Sequence, residues 1–170
     1  MRMKGLPDRF YEWVGGSDFL GKICPARERT GAVVEEIAAL SHAELAGGQR
    51  IACGEALELV RGGVFYAVDA LARAHSIFQE DASALGAYWH GMMHRREGDF
   101  GNACYWFGRA GKLPALGLLP GFDPAAFTRR CAKEGRDTPE LVEWQRKEWE
   151  ALMTFCLEKA LADDVRPEGL

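Results

Sequence analysis

The sequence predicts an all-α protein, a short array of antiparallel helical hairpins closed by a long C-terminal capping helix. Apolar residues recur with the period of helices, and no run alternates apolar with polar residues as a half-buried strand would. Glycine and proline separate the periodic segments by only a few residues, and turns that short leave successive helices antiparallel. In chain order, a short apolar turn around Phe10, Tyr11 and Trp13 comes first. Residues 17–30 read as loop, and 30–45 read as a helix ended by Gly47 and Gly48. Helices are then expected over 50–61, 64–79, 83–97 and 100–110. The Pro/Gly-rich stretch 112–122 is a connection. Asp123-Pro124 supplies an N-cap with proline at the first helical position and starts a helix to about 134. Thr138-Pro139 repeats that signal for the last helix, 139–161, whose stripe of Val142, Trp149, Leu152, Met153, Cys156 and Ala160 marks it as the closing brace. Residues 163–170 read as a frayed tail.

Residues 1–170 are expected to form a single helical domain, with repeat-like hairpins over about 50–114 and capping helices over about 123–161. A composition of 48% hydrophobic and 27% charged residues is that of an ordinary globular protein. Lys plus Arg number 21 against 25 for Asp plus Glu, and a net charge of -4 argues against a nucleic-acid partner. The cations Arg2 and Lys4 are followed by no apolar stretch, and nowhere do about 18 apolar residues run together, so neither export nor a membrane partner is expected. The cytoplasm is the expected compartment. The five cysteines, Cys24, Cys53, Cys104, Cys131 and Cys156, show no CxxC spacing and read as reduced, mostly buried thiols.

Aligning the segment from Gly62 with that from Gly98, at an offset of 36, pairs Ala67 with Ala103, Arg73 with Arg109 and Ala74 with Ala110. Ala52, Ala56 and Leu59 align best at 35. Over residues 50–114 the pattern resembles tetratricopeptide or Sel1-like helical repeats: Gly91 lies where a small residue lets two helices touch, followed by Phe100, Ala103, Phe107, Ala110 and Pro114. The run from His90 through His94-Arg95-Arg96-Glu97-Gly98-Asp99, Asn102-Ala103 and Tyr105-Trp106-Phe107 to Gly111 also resembles an uncharacterised bacterial and fungal family with an HxxMHRREGDxxNAxYWFxRxG-type segment. Ala74-His75, Phe122-Asp123-Pro124 and residues 143–149 fit that family too. The resemblance implies a helical fold and supplies no chemistry.

Two sets of residues could carry function. In the repeat alignment Tyr88, Met92, Arg95 and Arg96 face the concave groove, where guanidinium forks beside an aromatic ring and a methionine would hold an acidic peptide or protein, or a small anion. This makes a non-enzymatic binding or scaffolding protein the leading expectation, with a homo-oligomer open because a short array leaves a face to cover. The other set is a pocket of His75, His90, His94, Glu97, Asn102 and Trp106, the mark of an enzyme or small-molecule binder. His90 and His94 are one turn apart and could chelate a divalent metal, with His75 as a third imidazole and Glu97 nearby. Gly91 stands where a zinc-protease helix would place its glutamate, so that mechanism is absent. Trp144 and Trp149 could close over the pocket, and Glu143, Arg146, Lys147 and Glu148 read as a charged outer face. Otherwise the two histidines would be hydrogen-bonded core residues, the arginines would pair with Glu97 and other acids, and Asp99 would be a helix cap.

Overall fold

The computed structural model describes Leu6, residues 8–14 and residues 19–162; the expected tail and residues 1–5 lie outside this range. Among the described residues the protein is helical with no strand. The apolar turn at the start is a helix, α1 (Asp8–Val14), which buries Phe10 and Trp13. The helix expected over 30–45 is two: α2 (Ala32–Ala39) and α3 (His42–Leu45). Ser41 and Glu44 divide them with a capping box, in which the Ser41 hydroxyl accepts from the Glu44 N–H and the Glu44 carboxylate from the Ser41 N–H.

Next comes α4 (Gly54–Ala67), which runs straight through Gly62-Gly63, where the sequence suggests a break. Both glycines stay helical because neighbours fill the space a side chain would need. The Phe78 ring lies against Gly62, and Met153 and Trp89 lie against Gly63. The chain turns later, at Asp69, into α5 (Leu71–Glu80). A second hairpin follows, α6 (Ala84–Arg96) and α7 (Phe100–Ala110), started by Ser83 and Asp99 as N-caps. Gly91 lets this pair close, because its Cα sits where a Cβ would be 2.9 Å from the Phe107 ring.

The two hairpin turns are alike, but not in the register the sequence alignment gives. Asp69 (φ 62°) and Gly98 (φ 80°) each hold the left-handed conformation and are followed by an N–H bonded back to the preceding helix, Ala70 to Phe65 and Asp99 to His94. Gly62, aligned with Gly98 by the offset of 36, lies inside a helix instead. An antiparallel helical hairpin pair is thus present, and the 36-residue spacing does not describe it.

A 3₁₀ turn at Pro114–Leu118 interrupts the Pro/Gly connection, and α8 (Pro124–Glu134) and α9 (Pro139–Ala160) begin at the expected Asp123 and Thr138 caps. α9 braces α4 and the residues leading into it: the Trp149 indole donates to the Gly63 carbonyl at 2.9 Å, and the N–H of Ala52, just before α4, donates to the Ala160 carbonyl at 2.8 Å. α6 is the central helix, buried from Leu85 to Arg96 without an exposed face. The expected loop is an irregular strap, residues 19–30, tied down by side chains of other elements. Arg146 donates to the Phe19 carbonyl, Gln145 to Leu20 and Lys22, and Arg96 to Lys22, all at 2.7–2.9 Å. No helix among the described residues is long and apolar enough to cross a membrane. All five cysteines are free thiols; Cys131 and Cys156 are buried, whereas Cys24 is exposed and Cys53 and Cys104 are partly so.

Candidate metal centre

His90 and His94 are brought together by α6 itself, one turn apart with their rings stacked at 4.7 Å. The short link from α5 to α6 places His75 against both, with ring centroids 4.8 Å from His90 and 5.2 Å from His94. One ring nitrogen from each of the three lies within 4.8 Å of the others. Glu97, the C-cap of α6, reaches back so that its carboxylate is 3.2 Å from His94 Nδ1 and 3.8 Å from His75 Nδ1. α7 supplies the wall: Trp106 stacks on His90 at 4.2 Å, and the Asn102 amide nitrogen is 3.1 Å from His94 Nε2. All six pocket residues expected from the sequence therefore meet.

The cluster is buried on one side and open on the other. His90 and His94 are buried, while the side chains of His75 and Glu97 are 31% and 37% exposed. Burial, reinforced by the neighbouring His94 and His75, pushes the His90 imidazole down to about 4. Burial also lowers His94, against the opposing pull of Glu97. His90 is thus neutral at pH 7, the form in which imidazole ligates metal. Its hydrogen bonds do not add up without a further partner. His90 Nε2 and His75 Nε2 share one bond of 3.0 Å, and Nδ1 of both His90 and His94 is buried without a hydrogen-bond partner.

The arginine set is placed differently from the expectation. Tyr88, Met92, Arg95 and Arg96 are all buried, and the groove they were to line is filled by α8, α9 and the strap. Arg95 forms an ion pair with Glu148 inside the bundle, both side chains fully buried, and its guanidinium lies over the Phe127 and Phe107 rings at 4.7 and 5.5 Å. The Tyr88 hydroxyl donates to Glu148 at 2.8 Å, and burial together with that carboxylate pushes the phenol far above its usual range. Arg96 pairs with Asp69 and lies over the Tyr66 ring at 5.1 Å. Of the expected outer face on α9, Glu143 and Lys147 form an exposed pair, whereas Glu148 is buried and Arg146 holds the strap. Trp149 stacks on Phe10 and Trp144 on Phe122, so neither covers the histidines. From the sequence, Glu148 falls on the outer face and Asp69 is missed, since the acids that complete Arg95 and Arg96 lie 53 and 27 positions away.

Compared with protein-family models, curated proteins and solved structures, the chain finds no match. Of what the family resemblance implied, the structure shows the all-helical architecture.

Proposed function

We propose that His75, His90 and His94, with Glu97 at the open edge, bind one divalent transition-metal ion, and that the protein works through this site as a metal-dependent enzyme or small-molecule binder. The observation that carries this reading is the convergence of three imidazole nitrogens within 4.8 Å, two of the rings keeping a buried Nδ1 with no hydrogen-bond partner. A buried polar atom left unpaired costs about 1–3 kcal/mol, and an ion removes that cost for each ring it binds directly. The donor set narrows the ion. Imidazoles with one carboxylate and no thiolate suit zinc, nickel, copper or iron; calcium and magnesium prefer all-oxygen shells. The partly exposed side chains of His75 and Glu97 mark the edge from which a small molecule would reach a bound ion.

The test is metal analysis of protein purified without a histidine tag, with thermal melts in zinc, nickel, manganese and a chelator. Stoichiometric metal, or a rise in melting temperature that His90→Ala abolishes, supports the site. Absence of both overturns it and leaves the three histidines as a packing cluster.

A further inference from the structure

We infer that Asn102 is the positioning residue of this site, holding Nε2 of His94 so that Nδ1 of the same ring is the atom offered to the metal beside Glu97. The inference rests on the metal reading for its effect on affinity, and on the geometry of the metal-free protein for its effect on the ring. An imidazole gives one nitrogen to a metal, and the partner of its other nitrogen decides which one. Among the three histidines, His94 alone has such a partner that is not itself a candidate ligand. His90 and His75 occupy each other's Nε2, and His75 Nδ1 faces the Glu97 carboxylate. His94 Nε2 instead has the Asn102 amide at 3.1 Å, while its buried Nδ1 has no hydrogen-bond partner and lies 3.2 Å from Glu97 Oε2.

The chemistry of a primary amide fits both states of the ring. With the amide N–H donating to a bare Nε2, the ring proton sits on Nδ1, close to Glu97 but not aligned on it for a hydrogen bond. When Nδ1 is given to a cation, the proton belongs on Nε2, and the amide turned over presents its oxygen to accept it. Carboxylates only accept and ammonium groups only donate, so either would favour one state. The backbone fixes the amide: Asn102 sits in the first turn of α7 and its N–H donates to Asp99 Oδ1 at 3.1 Å. Any residue supplies that N–H, so the helix start survives substitution of the side chain.

Long-range proton–nitrogen NMR on the metal-free protein reads the His94 tautomer, and calorimetry reads zinc affinity, for the wild type, Asn102→Leu and Asn102→Asp. The wild type should hold the Nδ1–H form. In Asn102→Leu the ring should become a mixture and zinc should bind about 10–100-fold more weakly. Asn102→Asp, an acceptor in the same place, should move the metal-free ring to the Nε2–H form and keep zinc binding at or above the wild-type level. A His94 tautomer that neither substitution changes overturns the inference. A changed tautomer with unchanged zinc affinity in Asn102→Leu, or weaker zinc binding in Asn102→Asp despite its Nε2–H ring, overturns the assignment of Nδ1 as the ligating atom. If the wild type binds no zinc, the metal reading falls, and the tautomer comparison still decides whether Asn102 positions the ring.

Discussion

α6 carries two pairs of buried polar side chains, Arg95 with Arg96 and His90 with His94, and their surroundings differ: His75 of α5 joins the second pair. Arg95 and Arg96 each meet a carboxylate, Glu148 and Asp69, and lie against the Phe127 and Tyr66 rings. The three imidazoles share one partly exposed carboxylate, and two buried ring nitrogens have no hydrogen-bond partner. The first set gives each buried charge an opposite charge of its own, Glu148 inside the bundle and Asp69 at its partly exposed edge, although Nε of both guanidiniums is left without a hydrogen-bond partner. The second gathers bases without an equal number of acids at an edge that reaches solvent, and so keeps a binding capacity that folding does not use up. Neither burial nor a single unpartnered nitrogen separates the two sets, since both have each; what differs is that each of the two arginines has its own carboxylate and the three imidazoles share one.

The sharpest way to break this contrast is to remove one partner from the matched set. Glu148→Ala leaves the Arg95 charge buried and unpaired and should cost about 3–5 kcal/mol in denaturant unfolding. Arg95→Met, Glu148→Leu and Tyr88→Phe together should recover most of it, because the charge pair is replaced by apolar side chains and the Tyr88 hydroxyl that donates to Glu148 is removed with it. On the unmatched side, saturation with zinc at about 100 times Kd should stabilise the wild type by about 2.7 kcal/mol. His90→Ala should abolish that gain while leaving the metal-free protein folded, checked by paired thermal melts. Gly91→Ala tests the packing that unites the two hairpin helices. Its new methyl meets the Phe107 ring and should cost about 1–3 kcal/mol in denaturant unfolding. By displacing α7 it should also weaken zinc binding by calorimetry.

The smallest effect is that of pH. His90 is held at about 4, below the 6.5 of an unfolded histidine, so the unfolded chain takes up a proton that the native ring refuses. The stability the neutral ring provides is complete above about pH 6.5 and declines as the pH falls toward 4. With one edge of the cluster open to solvent, that loss should be about 1–2 kcal/mol. Denaturant unfolding at pH 7.5 and pH 5 checks it, and His90→Phe should flatten the difference.

Much of the architecture is legible in the sequence because it is written locally. Asp123-Pro124, Thr138-Pro139 and Asp99 announce their helices within four residues, and each carboxylate or hydroxyl makes the cap bond expected of it. The histidine pair is legible for the same reason, since a spacing of four on a helix is a contact. The rest depends on distant partners. Gly62-Gly63 looks like a break until Phe78, Trp89 and Met153 are seen to fill the space against it. Arg95 and Arg96 look like a cationic surface until Glu148 and Asp69, 53 and 27 positions away, arrive to neutralise them. A helix buried on every side has no apolar stripe to reveal which way it faces, and α6 is such a helix.

The strap near the N-terminus has a consequence for the order of events in folding. Its carbonyls at Phe19, Leu20 and Lys22 are met by Arg146 and Gln145 of α9 and by Arg96 of α6, contacts that span between 74 and 127 positions. Leu20 itself holds a left-handed conformation, with φ of 49°. The strap therefore gains its shape only after α6 and α9 have docked. In pulsed hydrogen exchange during refolding, its amides should be the last to become protected, although they lie among the first residues of the chain.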